Sequence, residues 1–365
     1  MPNWTESMQQ TFEYYTVDPN TLADVKRLDN VKKAKFSRDS DSETLGSASI
    51  DVVDSVGEAY IRGYLKTIQN GIVEKFPLGL VLSQTPSSTF NGMIRNVSMD
   101  CYTPLIELKE KSPPLGYTIR KGTRIMDAAH RIIRENARVP VAEVEPLYEE
   151  NSAGEKIDVS PTLQRDFVAN TDDTWLTFVT DLIANARYEL ALGERGDILF
   201  APKQELASLQ PVWTFDDSNS SILYPEITMD HDLYGIPNVV EVVYSYGSDY
   251  KQAVAKNEDI NSPISIQNRG REIVNRVTSP SLAGYVTQAQ IQDYAERLLK
   301  ELSTIEYTVS YTHAYCPVRL GDCVRLNYSR AGIVGVRAKV ISQTISCEPG
   351  CPVSEKAVFT SKLWR

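Results

Sequence analysis

The clearest pattern of apolar and polar residues begins at Thr287 and predicts a helix. Thr287 is a good N-cap, and Gln290 three residues later can close a capping box. Apolar residues then recur at helical spacing, at Ile291, Tyr294, Ala295, Leu298, Leu299 and Leu302. One face of this helix is therefore expected to be buried, and the helix is expected to end near Ser303.

After Ser303 the period changes from 3.6 to 2, which predicts two strands joined by a turn. Tyr307, Val309 and Tyr311 alternate with polar residues, as in a strand with one buried face. The turn is the Cys-Pro-Val-Arg-Leu-Gly-Asp segment at 316–322, and the next strand is predicted at 323–328.

The first third of the chain is predicted to be β. Residues 1–30 are polar and predicted to be irregular, with Tyr14, Tyr15 and Val17 as anchors. From Val31 onward, short alternating runs and turn-like glycines predict a small antiparallel barrel or sandwich that ends at residues 113–114. Residues 95–109 are expected to form one long strand, or two strands broken at Pro104.

The middle of the chain mixes helix and strand. A first helix is predicted to start at 122–123 and end before Pro140, and a second to start at Asp172 or Asp173. A hairpin follows, with strands at 188–192 and 197–202 around a Gly-containing turn. Residues 238–244 are a strongly β-branched strand.

Charge and length limit the classes of function. The 365-residue chain is long enough for two to four domains, and its net charge of −10 argues against a nucleic-acid-binding surface. The N-terminus has no charged and apolar signal-peptide regions, and no apolar run approaches the roughly 20 residues of a membrane span. We therefore expect the protein to fold in the cytoplasm, which is reducing.

Recognisable catalytic motifs are missing from the sequence. None of the three histidines lies in a catalytic motif, and there is no nucleophile elbow, zinc-protease motif or phosphate-binding loop. Pairs of neighbouring carboxylates occur in predicted loops, as expected of an acidic protein, and nothing ties them to a cleft. We therefore expect no enzyme activity.

Four of the five cysteines lie near the C-terminus: Cys316, Cys323, Cys347 and Cys351. They converge if the strand of Cys323 pairs with the strand at 336–346. Four thiolates in a reducing compartment suit a zinc ion or an iron–sulfur cluster, although zinc ribbons prefer C-x2-C pairs. The alternatives are one or two disulfides or free buried thiols. Cys101 is expected to be a buried apolar residue.

The segment from Thr287 to Tyr328 resembles the C-terminal part of the baseplate hub proteins of contractile-tailed bacteriophages, including Mu-like phages. In that family a helix leads into a strand, a Pro…Leu-Gly-Asp-x-Val-x-Leu turn and a second strand, here with Pro317 and Leu320 to Leu326. The order of the elements along the rest of the chain is also similar. Some related tail-tip proteins carry an iron–sulfur cluster on four C-terminal cysteines, and the C-terminal segment with Cys316, Cys323, Cys347 and Cys351 resembles that pattern.

The resemblance implies an α+β, mainly β fold, with two tube-like antiparallel β-barrels and inserted α/β and helical segments. The implied segments are a first barrel, an inserted α/β domain, the first part of a second barrel, an inserted segment with a helix, and the last part of the second barrel with the cysteines. Their bounds are 1–114, 115–205, 206–248, 249–303 and 304–365.

The resemblance also implies a function. It is that of a homotrimeric baseplate hub, assembled in the host cytoplasm and located in the virion tail, which adapts a hexameric tail tube to a trimeric central spike. Implied partners are the tube protein, the spike protein, baseplate wedge or distal tail proteins and the tape-measure protein, with DNA passing through unbound. Interface candidates are the Tyr-rich strands and Trp364. The alternatives are a spike-hub subunit of a contractile injection system and a cell-wall hydrolase of the tail tip.

Overall fold

A computed structural model of the chain describes residues 2–54, 56–92, 94–150, 156–246, 249–278 and 286–363. Trp364, one of the residues suggested for an interface, lies outside these residues. Strands predominate, and none of the helices in the described ranges is long and apolar enough to cross a membrane.

Among the described residues up to position 202 the chain forms thirteen strands. They are β1 (Gln9–Val17), β2 (Asp24–Arg27), β3 (Val31–Asp39), β4 (Gly46–Val52), β5 (Tyr60–Gln69), β6 (Ile72–Asn91), β7 (Ile94–Tyr102), β8 (Thr118–Ile119), β9 (Tyr148–Glu150), β10 (Lys156–Asp158), β11 (Phe167–Val168), β12 (Tyr188–Leu192) and β13 (Ile198–Pro202).

The remaining strands and the helices follow the same chain order. The strands are β14 (Pro211–Asp216), β15 (Leu223–His231), β16 (Val239–Tyr246), β17 (Asp249–Lys256), β18 (Val274–Thr278), β19 (Thr304–Ala314), β20 (Cys323–Tyr328), β21 (Ile333–Ser346) and β22 (Pro352–Lys362). The helices are α1 (Ile106–Lys109), α2 (Ile125–Asn136), α3 (Trp175–Ala184), α4 (Ile266–Arg269) and α5 (Gln288–Leu302).

The chain divides into two compact units. Unit 1 contains Met1–Glu226 and Tyr311–Glu355, and unit 2 contains Ile227–Ser310 and Lys356–Arg365. The boundaries fall inside β15, β19 and β22, so each of these strands contributes residues to both units.

Unit 1 is built on one sheet that combines strands from the two ends of the sequence. Its strands run in the order β14, β20, β21, β3, β4, β7, β6, β5, β1 and β2. Neighbouring strands are antiparallel except β14 and β20, which are parallel. The pair β3–β21 joins the N-terminal strands to the C-terminal strands, with Lys35–Asp39 opposite Ser342–Ser346. The predicted pairing of the Cys323 strand with residues 336–346 is also confirmed.

A phenylalanine on β3 packs against two glycines on strands that are not its neighbours in the sheet. Gly63 of β5 and Gly79 of β6 are register partners, and a Cβ built on either would meet the ring of Phe36. Phe36 is fully buried. The sheet therefore curls until β3 faces β5 and β6, which is how a barrel encloses a core.

The inserted α/β part of unit 1 has its own core against the barrel strands. The inner faces of α2 and α3 contact α1 and buried residues of β5 and β6. Trp175 and Phe178 of α3 form edge-on ring contacts with Tyr117, at centroid distances of 4.9 and 5.5 Å. The predicted hairpin is confirmed as β12–β13.

Unit 2 consists of a three-stranded sheet covered by a helix, together with parts of the long strands. Its sheet has the order β17–β16–β18, and α5 buries Ile291, Ala295 and Leu299 against it. The predicted capping box at Thr287 and Gln290 is present, so the start of α5 is confirmed. Elsewhere in unit 2, the rings of Tyr307 and Phe359 stack at a centroid distance of 5.0 Å.

Three local predictions were wrong. Residues 1–30 are not irregular, because β1 and β2 lie there; β1 pairs with β2 on one side and with β5 on the other. Residues 95–109 form β7 and the short helix α1, since the chain turns at Pro104 instead of continuing as a strand. The second helix is capped by Thr174, whose side chain accepts the amide of Thr177, and not by Asp172 or Asp173.

The fold class predicted from the sequence is confirmed: the chain is mainly β, with a large antiparallel sheet and inserted α/β and helical parts. The division into the five segments given above stays a prediction.

Replacing Gly63 by alanine tests the packing of Phe36. Gly63→Ala is expected to lower the free energy of unfolding by about 1–3 kcal/mol, because the new Cβ would lie 2.5 Å from Cζ of Phe36. The matched control is Gly79→Ala, whose Cβ would meet the same ring at 3.4 Å. Urea unfolding of both variants measures the difference, and equal losses would show that contact with the ring is not the cause.

Candidate functional site

The described part of unit 1 contains a group of polar side chains, buried except for the half-buried Arg38, that link β3, β19, β21 and β22. Its members, called here the His313 network, are Arg38, Tyr311, His313, Gln343 and Glu355. Nε2 of His313 lies 3.2 Å from Oε1 of Glu355, although it is poorly aligned for a hydrogen bond. Tyr311 donates its hydroxyl to Oε2 of Glu355 at 2.6 Å, and Gln343 donates its amide to Oε1.

A hydrogen bond of Nδ1 orients the ring of His313 so that Nε2 faces Glu355. Nδ1 of His313 is 2.7 Å from the carbonyl oxygen of Ala314, which can only accept, so Nδ1 carries a hydrogen. Nε2 then faces a carboxylate oxygen, and a favourable contact needs one further proton between them. Glu355 already accepts hydrogen bonds from Tyr311 and Gln343, which favour its carboxylate form.

The network also crosses the junction between β3 and β21. Arg38 and Gln343 are register partners, and Nη1 of Arg38 donates to Oε1 of Gln343 at 3.0 Å. Nη2 of Arg38 donates to the carbonyl of Leu78 at 2.8 Å. Burial and the neighbouring Arg319 lower the pKa of Arg38 to about 10. The guanidinium therefore stays charged at neutral pH and ties both strands to β6.

Cys316 adds a thiol to this group, but the arrangement does not suit nucleophilic catalysis. Its Sγ lies 3.8 Å from Nδ1 of His313, so the residue types match a Cys–His–carboxylate triad. Cys316, His313 and Glu355 are each no more than 2% exposed, which leaves no path for a substrate. Burial, and then the charge of Glu355, raise the pKa of the Cys316 thiol, which disfavours the thiolate. The group therefore acts as a structural element of the core.

Sequence reasoning missed this network, although a signal for it was present. The alternation that places Val309 and Tyr311 on the buried face of β19 continues to His313. In the same way, Glu355 follows Val353 at a spacing of two residues on β22. A polar residue at a core-facing position needs a polar partner, and His313 and Glu355 are each other's partners.

The loop between β21 and β22 brings two of the four predicted ligands together. Tyr14 lies beside both thiols, and burial first, then the neighbouring Cys347 and Cys351, raise the pKa of Tyr14. Burial raises the pKa of Cys347 to about 12, against the opposing effect of Tyr14. The backbone of Cys351 has a φ of 43°, a strained value for any residue other than glycine.

The other two predicted ligands lie in different surroundings. Cys316 contacts His313, as described, and Cys323 begins β20 with its thiol 3.8 Å from the carbonyl of Val324. All five cysteines are free thiols, and Cys101 is buried as expected. Within the described residues no group of three or more His, Cys, Asp or Glu side chains is placed to hold a metal ion. The assignment of a zinc ion or iron–sulfur cluster to these four cysteines therefore stays a prediction.

A groove of about 980 Å³ runs along unit 1 between barrel strands and the hairpin β12–β13. Its walls are mainly apolar and include Leu45, Leu176 and Leu199. Two ion pairs hold the hairpin in place across it: Arg319 with Glu194 at 2.5 Å, and Lys339 with Glu189 at 3.9 Å. The groove is thus a defined concave surface next to a tethered hairpin.

Removing the charge of Glu355 should make stability less dependent on pH. Burial alone would raise the pKa of Glu355, but the close contact with His313 and the hydrogen bond from Tyr311 hold it below its ordinary value of 4.5. The carboxylate therefore stabilises the fold above pH 4.5, and this contribution is lost as the pH falls through the folded-state pKa. Glu355→Gln is expected to lower the free energy of unfolding at pH 7 by about 3–5 kcal/mol.

Urea unfolding between pH 7 and pH 3 provides the measurement. The difference between the wild type and Glu355→Gln should shrink below pH 4.5, whereas the exposed control Glu348→Gln should match the wild type throughout. A difference that does not change with pH would contradict a stabilising carboxylate at Glu355.

Comparison with known proteins gives no match by sequence and clear matches by structure. No protein-family model matches the chain, and no curated protein matches it. A tail protein from Neisseria meningitidis aligns over 96% of this chain and 96% of its own, with a TM-score of 0.55 and 12% identity. A 43 kDa tail protein of prophage MuSo2 from Shewanella oneidensis aligns over 96% and 98%, with a TM-score of 0.60 and 9% identity.

A third similar structure is a chain of the Francisella PdpA–VgrG complex. It covers 99% of this chain with a TM-score of 0.52 and 7% identity, and this chain spans about half of it (54%). Identities this low establish the fold alone. The chain has the fold of these phage tail and VgrG-complex proteins, which confirms the resemblance to tail hub proteins inferred from Thr287 to Tyr328.

Proposed function

We propose that this chain is a structural protein of a phage tail, in which three copies form the baseplate hub. The observation that carries the proposal is the similarity in fold to two tail proteins over almost the full length of all three chains. The hub adapts the hexameric tail tube to a trimeric central spike and forms the distal end of the tail channel.

The sheet of each chain combines an N-terminal and a C-terminal β portion. A ring of several copies would therefore contain twice as many β portions as chains. Within one chain, the N-terminal strands join the C-terminal strands edge to edge through β3 and β21. Three copies, each with two such β portions, supply six portions around a ring. A ring of this kind meets a sixfold tube on one side and a threefold spike on the other.

Net charge fits the channel of such a ring. A charge of −10 on each chain repels the DNA phosphates, so DNA and the tape-measure protein can pass without adhering. The other proposed partners are the tube protein, the central spike protein and the baseplate wedge or distal tail proteins. The protein would assemble in the host cytoplasm and reside in the virion. Its role is to join other proteins, and we assign it no enzymatic step.

A second candidate is the spike-hub subunit of a contractile injection system. The alignment of almost the whole chain with part of a chain of the PdpA–VgrG complex favours it. The same contacts between copies would serve there, without passage of DNA. The two functions therefore share the threefold ring and differ in what passes through it.

Native mass spectrometry of protein purified without oxygen tests the ring. We expect a mass three times that of the chain, because the barrel edges are proposed to be covered by neighbouring copies. The control is the same sample in denaturant, which should give single chains. A stable dimer, or a ring whose copy number is not a multiple of three, would contradict the hub.

The same spectrum tests the cysteine prediction. We propose that any bound zinc ion or iron–sulfur cluster on Cys316, Cys323, Cys347 and Cys351 staples the C-terminal strands. An added mass for one ion or cluster per chain supports this proposal. A trimer without added mass leaves the hub intact and returns the cysteines to thiols or disulfides.

A further inference from the structure

The strands β6 and β7 extend past the rest of the sheet as a two-stranded ribbon. β5 pairs with β6 only as far as Leu82, and β4 pairs with β7 from Val97 onward. Beyond these points, Ser88 to Asn91 pair only with the start of β7. An isolated two-stranded ribbon is marginally stable in water, so this one is expected to need support from elsewhere.

The end of the ribbon carries an aromatic ring and an unpaired positive charge. Phe90 is 69% exposed, which shows that its ring is not inserted into a groove of its own chain. The guanidinium carbon of Arg95 lies 5.8 Å from the ring centroid, and Nη2 of Arg95 donates to Ser88 at 3.2 Å. Among the described residues no carboxylate forms an ion pair with Arg95.

The groove beside β12–β13 has the complementary features. Its walls are mainly apolar. The carboxylates of Asp41 and Asp181 line it, as does the ammonium of Lys203, and none of the three has an ion-pair partner among the described residues. An aromatic ring would be desolvated against Leu45, Leu176 and Leu199, and a cation beside the ring would meet these carboxylates.

We propose that the ribbon of one copy inserts Phe90 into this groove of a second copy, with Arg95 placed beside Asp41 and Asp181. The ribbon and the groove are different surfaces of one chain, so the contact is head-to-tail. Such contacts close into a ring when the rotation between copies divides a full turn. The inference rests on the proposed trimeric ring and assigns residues to its contact.

A photo-crosslinker at the ribbon tip tests the contact directly. Phe90→p-benzoylphenylalanine is introduced into the full chain, and labelled and unlabelled copies are mixed so that links between copies can be recognised by mass. The matched control is Leu115→p-benzoylphenylalanine, since Leu115 is 85% exposed and does not line the groove. We expect links between copies from position 90 to groove residues, and none to the groove from position 115.

Association constants of variants without the ring or with exchanged charges test the contact without a crosslinker. Phe90→Ser is expected to weaken association about tenfold or more, because it removes the buried ring. Arg95→Asp is expected to weaken association a few-fold, and Arg95→Asp combined with Asp181→Arg should recover most of that loss. Analytical ultracentrifugation gives the association constants.

The results distinguish failure of the proposed contact from failure of the proposed trimeric hub. A trimer that crosslinks from position 90 to other surfaces, or that keeps its association constant in Phe90→Ser, overturns the contact and leaves the hub. A chain that stays monomeric at every concentration, without links between copies, overturns the contact and counts against the ring as well.

Discussion

The antiparallel pairing of β3 with β21 is the contact that joins the two ends of the sequence into one sheet. Arg38 and Gln343, register partners in this pair, are 305 positions apart in the chain. Closing so long a loop costs conformational entropy, which grows slowly with loop length and must be offset by local contacts. The backbone hydrogen bonds between β3 and β21 are some of these contacts. The amide of Cys347 donates to the carbonyl of Ala34 and the amide of Ser40 donates to the carbonyl of Ile341, which extends the pairing at both ends.

The buried side chains of the His313 network reinforce the same junction. Arg38 reaches across to Gln343, and Gln343 continues to Glu355 and to the carbonyl of Val318. A buried charged group that loses its partner is strongly destabilising, so each member restricts the positions of the others. The network therefore selects one register for strands that the sequence keeps far apart. The fold consequently depends on polar specificity as well as on apolar burial.

Local patterns predicted the local elements, and long-range contacts decided the rest. The capping box and apolar stripe of α5, the hairpin β12–β13 and the limits of β20 were predicted correctly because neighbouring residues determine them. Residues 1–30 were misjudged because β1 gains its strand structure from pairing with the distant β5. The partnership of His313 with Glu355 and the separate surroundings of Cys316 and Cys323 depend on side-chain placement in three dimensions, which spacing in the sequence does not determine.

Hydrogen exchange followed by mass spectrometry, over a series of denaturant concentrations, tests the central claim that β3 and β21 form one cooperative unit. We expect peptides covering Lys35–Asp39 and Ser342–Ser346 to be protected and to lose protection at the same denaturant concentration. Protection of one segment while the other exchanges freely would contradict it, because the two ends of the chain would then fold as separate sheets.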